Sequence, residues 1–129
     1  STTLFRPPYI SESSPLSRAE FRSIATAQEL GYITIGISNN GRDWTFEDKD
    51  DVTGETIYRN GKSIADEILS KLDLMQGNAI LLHDGPSGRE RTVEALPLLI
   101  KTLKERGFKF VTTHELLGTD RSTIMPDVG

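Results

Sequence analysis

His83 and His114 are the two imidazoles in a chain of 129 residues, and His83 occupies the more suggestive position. It closes an apolar run, Leu81-Leu82-His83, and is followed by Asp84-Gly85-Pro86. Imidazole exchanges protons near neutral pH, and a neighbouring carboxylate would hold it in one tautomer and tune it for general-acid work. Asp43, in the segment Asn40-Gly41-Arg42-Asp43-Trp44, is the candidate neighbour. The competing reading of His83 is a strand end whose ring bonds a nearby carbonyl. Arg6, in Arg6-Pro7-Pro8-Tyr9, carries a planar fork that could pin a carboxylate or an anionic intermediate, or could simply seal the end of a sheet. Trp44, the single tryptophan, could line a sugar platform or form a core lid. His114 has no partner motif around it and reads as structural. Asp48, Asp50 and Asp51 lack the glycine and terminal glutamate of an EF-hand and read as a solvated loop.

Other chemistries are excluded by what the chain lacks. It has no Cys, so disulfides, thiolate metal sites and a cysteine nucleophile are ruled out. No HExxH, GxGxxG or P-loop pattern occurs, and two well-separated histidines make a complete metal site from this chain alone doubtful. With 15 Lys+Arg against 19 Asp+Glu the net charge is −4, and the basic residues are scattered. Nucleic acid is therefore not expected as a partner. A hydrophobic fraction of 36% argues against disorder, and no apolar run approaches the ~18 residues of a membrane helix.

Positioning such residues requires a scaffold, and strand-like and helix-like segments alternate as in a parallel α/β sheet. A short strand at Leu4-Phe5 ends at two prolines. Ser17 and Glu20 have capping-box spacing and open a helix over residues 17–30 that Gly31 stops. Tyr32 to Ile37 reads as a strand, and Asn39 to Gly61 as a long polar loop. Ile64, Ala65, Ile68, Leu69 and Leu72 form a helical stripe. Ala79 to Leu82 reads as a strand covered on both faces. Thr92 is expected to cap a helix carrying Val93, Leu96, Leu99, Ile100 and Leu103, with Pro97 near its first turn or at a kink, and Phe108 to Thr112 is expected to be the last strand. Glu115 to Gly118 reads as a helical turn before an irregular tail, 119–129. In parallel sheets the loops after the C-terminal strand ends share one side, so Arg6, Asp43 and His83 are expected to meet there.

Phe5-Arg6-Pro7-Pro8-Tyr9, Asp43-Trp44, Leu81-Leu82-His83-Asp84, Ala95-Leu96-Pro97 and Phe110-Val111-Thr112, in that order, resemble the second half of a polysaccharide deacetylase domain of the NodB-homology type, carbohydrate esterase family 4. The likeness runs from Leu4 to about Gly118. The tail from Arg121 to Pro126 resembles the stretch that joins such domains to a membrane glycosyltransferase in some fusion proteins.

The resemblance implies the C-terminal part of a distorted (β/α) barrel that removes N-acetyl groups from N-acetylglucosamine polymers with a divalent metal, usually zinc. It implies that Arg6 orients a base aspartate, that the Tyr9 backbone N–H helps hold an oxyanion, and that Asp43 tunes His83. It further implies that His83 protonates the leaving amine and that Pro8, Trp44 and Leu81 line the substrate. Ile10 stands where the family usually has Gly, and Asn40 replaces the first acid of the Asp-x-x-Asp-Trp motif. The family's Asp-Asp and His-x-x-x-His metal segments do not occur, so the metal ligands are expected outside these residues. The expected partners are an N-acetylated polysaccharide and the missing half of the domain or a second copy. An extracytoplasmic or membrane-associated setting is implied by resemblance alone. A non-catalytic carbohydrate-binding or assembly module on the same fold is the alternative.

Overall fold

The structure, a computed structural model, describes residues 4–6, 17–74, 77–85 and 87–118. Among these the elements run β1 (Leu4–Phe5), α1 (Arg18–Glu29), β2 (Ile33–Thr34), β3 (Asn39–Asn40), β4 (Glu47–Lys49), β5 (Thr56–Tyr58), α2 (Gly61–Ser70), β6 (Ile80–Leu81), α3 (Glu90–Glu105) and α4 (Thr113–Leu117). The architecture is α/β, as expected. The expected tail, 119–129, lies outside the described residues. No described helix is long and apolar enough to cross a membrane. The chain divides into two compact units, residues 1–37 with 111–129, and residues 38–110.

In the first unit β1 and β2 pair in parallel, Leu4 with Ile33 and Phe5 with Thr34. Ser17 caps α1 and exchanges bonds with Glu20 in a capping box, as its spacing predicts. At the other end Gly31 takes φ +80°, its N–H bonds Gln28 O, and Tyr32 N–H bonds Ala27 O. That left-handed turn satisfies the last carbonyls and needs glycine. Among the described residues the strand expected over Tyr32 to Ile37 shrinks to Ile33–Thr34, paired with Leu4–Phe5.

In the second unit β3 and β6 pair in parallel, Asn39 with Ile80 and Asn40 with Leu81. α2 packs on α3 through Ile64, Ala65, Ile68, Ala95, Leu99 and Leu103, with Leu69, Leu72, Ile80, Leu82 and Phe108 partly buried against them. Gly61 permits the close approach of the helices, since a Cβ there would lie 2.5 Å from Glu94 Cβ. α2 begins earlier than its apolar stripe suggested, because Asn60 and Ser63 form a reciprocal cap.

Four expectations are corrected. The segment from Asn39 to Gly61 is not one loop but holds β3 and an antiparallel hairpin, β4 with β5, that pairs Glu47 with Tyr58. The Ala79 to Leu82 run yields only Ile80–Leu81, half-buried rather than covered on both faces. α3 starts ahead of Thr92 and buries Thr92, Ala95, Leu99 and Leu103, leaving Val93, Leu96 and Ile100 exposed. Pro97 lies inside this helix. Phe108 to Thr112 forms no strand: β-branched composition favours one, but no described strand pairs with the segment, and Phe110 and Val111 are exposed.

Candidate active site

The parallel pairing of β3 with β6 decides where the chemistry can happen. Both strands leave the sheet in the same direction from the matched residues Asn40 and Leu81, so Asp43 and His83, just beyond them, arrive side by side. His83 Nδ1 lies 2.8 Å from Asp43 Oδ1, and the His83 backbone N–H donates to Asp43 Oδ2, also at 2.8 Å. The Asp43 side chain is 0% exposed and that of His83 is 37% exposed. Trp44 packs edge-on against the imidazole, ring centroids 5.2 Å apart. The expected Asp43 and His83 pair is therefore present, with Trp44 as its wall and half-buried Leu81 ending the strand behind it.

A third donor reaches the carboxylate. Thr92 Oγ1, from the first turn of α3, donates to Asp43 Oδ2 at 2.8 Å. The hydroxyl expected to cap the helix is thus committed elsewhere, and the N-cap position is held by Arg89 without a side-chain cap bond. Burial acts most strongly on the Asp43 carboxyl and would push its pKa up. The bonds from the His83 N–H, the His83 ring and Thr92 together outweigh it and hold the group below its usual value. Asp43 is accordingly an anion at neutral pH. As a carboxylate it accepts from Nδ1–H, which leaves Nε2 as the ring nitrogen that Asp43 does not engage.

The loop that carries Asp43 is held by an ionic cluster that sequence reasoning missed. Arg42 takes φ +47°, a left-handed conformation costly for a non-glycine residue. Its backbone N–H donates to Asn40 Oδ1 at 2.7 Å, so Asn40, at the motif's first acidic position, supports the turn with an oxygen that aspartate would also supply. The Arg42 guanidinium forks onto Glu67 at 2.9 and 3.0 Å and onto Asp48 at 2.8 Å. Arg59, whose side chain is 2% exposed, donates to Gly41 O at 2.6 Å and pairs with Glu67 at 2.8 Å and Asp48 at 3.2 Å. Lys71 reaches Glu67 at 2.6 Å and Asn40 O at 3.2 Å. Burial opposes the Glu67 charge, but Arg42, Lys71 and Arg59 overcome it and bring the carboxyl down to about 2. Asp48, expected to be merely solvated, is part of this cluster. The available signals were the Glu67 to Lys71 spacing on one helix face and a polar Thr92 in line with Ala95 and Leu99.

Arg6 follows β1 in the first unit and is half-buried. Pro8 and Tyr9 lie outside the described residues. His114 lies in α4. Among the described residues no three His, Asp or Glu side chains gather where they could hold a metal ion, and Asp43 is already engaged by three donors, so these residues do not by themselves fit a metal centre.

No protein-family model matches the chain. It is 36% identical over 118 residues to a peptidoglycan-N-acetylglucosamine deacetylase of Bacillus cereus, a match covering 88% of this chain and 45% of that protein. It is 33% identical over 115 residues to a putative polysaccharide deacetylase of Bacillus subtilis, covering 84% of this chain and 33% of the relative. A bifunctional xylanase/deacetylase of Pseudobutyrivibrio xylanivorans is 33% identical over 112 residues, covering 87% and 14%. A crystal structure of a peptidoglycan N-acetylglucosamine deacetylase in complex with 4-naphthalen-1-yl-N-oxidanyl-benzamide superposes with a TM-score of 0.65 at 24% identity, over 92% of this chain and 46% of that one. The chain spans less than half the length of each of these proteins.

Proposed function

The homologues of this chain are peptidoglycan and other polysaccharide deacetylases, and from that premise we propose that it is the C-terminal part of a barrel-type N-deacetylase and supplies the general acid of the site. The observation that carries the reading is the Asp43 and His83 pair: a buried carboxylate fixes Nδ1 at 2.8 Å, while the partly exposed ring keeps Nε2 for a substrate. In the proposed reaction water adds to the acetamide carbonyl of an N-acetylglucosamine unit and gives up a proton to the base aspartate expected outside this chain. The carbon–nitrogen bond then breaks, His83 Nε2 delivers its proton to the departing amine, and acetate leaves. Asp43 stabilises the imidazolium before that transfer, Trp44 walls the ring, and Leu81 lines the acetyl methyl. By resemblance to the deacetylases, Arg6 would orient a base aspartate and the backbone N–H of Tyr9 would serve the oxyanion. A divalent metal, probed first as zinc, would be bound by residues outside this chain, and no step is assigned to it here. An extracytoplasmic or membrane-associated setting belongs to the same proposal and follows from a polymeric cell-wall substrate.

Acetate release from N-acetylglucosamine oligomers by the full-length protein tests the reading. His83→Ala is expected to lower turnover by ~10²–10⁴, the usual contribution of a positioned acid. Unchanged turnover in that variant removes His83 from the acid role. Glycan binding by the parent protein without any acetate release would favour the non-catalytic module instead.

A further inference from the structure

Thr92 is used by neither the core nor its own helix. It is buried, it belongs to the first turn of α3, and its hydroxyl goes to Asp43 Oδ2 rather than to a helix backbone group. We propose that Thr92 is a positioning residue for the acid: it locks the rotation of the Asp43 carboxylate so that Oδ1 stays aimed at His83 Nδ1. The inference rests on the deacetylase reading for its kinetic consequence, but not for its geometry.

The physical need follows from the aspartate side chain itself. Its terminal torsion is broad and two-fold, so a carboxylate held at one point can swing. The His83 backbone N–H alone would be such a point, because it bonds only Oδ2. Thr92 adds a second donor to the same oxygen from a different element, α3 rather than the chain leaving β6. With Oδ2 gripped from two directions, Oδ1 is left for Nδ1 alone, and the proton on Nδ1 has one acceptor. A ring that keeps Nδ1–H on Asp43 presents Nε2 to substrate and is stabilised when a second proton sits there, whereas a flipped ring turns Nε2 away and a ring that has lost Nδ1–H has lost that stabilising bond. Thr92 is too buried to touch a polysaccharide, so it acts through Asp43 and His83.

Three variants separate this role from packing. Thr92→Val keeps the shape and removes the donor, Thr92→Ala removes the donor without the branched bulk, and Thr92→Ser restores the hydroxyl. Nitrogen-15 spectra of the His83 ring in the full-length protein report the tautomer directly. The expected result is a ring protonated at Nδ1 in the parent and in Thr92→Ser, with a substantial Nε2-protonated population in Thr92→Val and Thr92→Ala. In acetate release the two donor-less variants should lose about tenfold in kcat with KM unchanged, as expected for one hydrogen bond to a charged group, and Thr92→Ser should stay within about twofold. A parental tautomer in either folded donor-less variant, or a Thr92→Ser as impaired as Thr92→Val, overturns the proposal. If the parent releases no acetate, the enzyme reading fails while the tautomer measurement still decides the role of Thr92.

Discussion

Arg42 and Asp43 are neighbours in sequence, yet their side chains serve two polar clusters built on opposite principles. Around Glu67 everything is charged and matched: one carboxylate meets Arg42, Arg59 and Lys71, and no proton is free to move. Around Asp43 one buried anion meets two neutral donors and a partly exposed imidazole whose second nitrogen it does not engage. The first arrangement is suited to holding a strained turn, the second to transferring a proton. A site of this kind uses both, because the guanidinium fork stabilises the left-handed turn at Arg42 that leads directly into Asp43.

The largest expected difference lies in activity. Asp43→Asn replaces an acceptor of three bonds with a group that can itself donate to Nδ1, favouring the wrong tautomer. Acetate release should fall by ~10²–10³, within the range attributed to a positioned acid. Arg42→Lys keeps the charge but loses the bidentate fork, and should cost activity far less while lowering stability. Equal losses in kcat for the two variants would erase the distinction between holding and reacting.

Next comes stability. Glu67→Ala leaves Arg59, nearly fully buried, with Asp48 and the Gly41 carbonyl but without its closest carboxylate, and is expected to cost about 3 kcal/mol in urea unfolding, as for other broken buried pairs. Acid performs the same experiment reversibly. The Glu67 carboxyl is held down to about 2 from an ordinary 4.5, so its contribution is complete above 4.5 and is lost as pH falls through 2. Asp43 is lowered as well and adds a loss of the same sign. Unfolding midpoints recorded from pH 7 down to pH 2 should therefore fall below about pH 4.5 in the parent and fall less in Glu67→Ala. Parallel curves for the two proteins would show that Glu67 is not the group responsible.

Gly41→Ala probes the seam between the clusters. A Cβ there would lie 2.7 Å from the Ile68 side chain, so the loop must lift away from α2 at about 1–3 kcal/mol. Because the Gly41 carbonyl also accepts from Arg59, the variant should lose both stability and kcat. Ile68→Ala in the same background removes both carbons that the new methyl would meet and should restore part of the kcat.

Local signals explain what the sequence could show. Ser17 with Glu20, Gly31, and the stripe Ile64, Ala65 and Ile68 each declare an element within one or two helical turns, and the structure agrees at every one. The nearness of His83 and Asp43 was legible from their places just past two strand ends and from the deacetylase motifs they resemble, and parallel pairing supplies it. Thr92, Arg59 and Glu67 were not legible in these roles. Their partners are far along the chain, and a threonine in a first helical turn looks locally like a cap. The hairpin β4 and β5 was hidden for a different reason: its strands carry charged and exposed residues, so no buried face imposes an alternating pattern.

The smallest effect is expected on the other side of α2, and it sharpens the comparison most. Lys62 and Asp66 form an ion pair on the same helix as Glu67, but with side chains 75% and 58% exposed. Water screens that pair, and holding two long side chains together opposes the attraction. Lys62→Ala should therefore shift the urea midpoint by no more than about 0.5 kcal/mol and leave acetate release unchanged. Ion pairs on one helix would then differ several-fold in effect between Lys62 and Glu67, following the burial of Glu67 and Arg59 and the number of cations that Glu67 meets. A loss comparable to that of Glu67→Ala would mean that charge pairing along α2, rather than the buried grip on Arg42 and Arg59, holds the loop of Asp43.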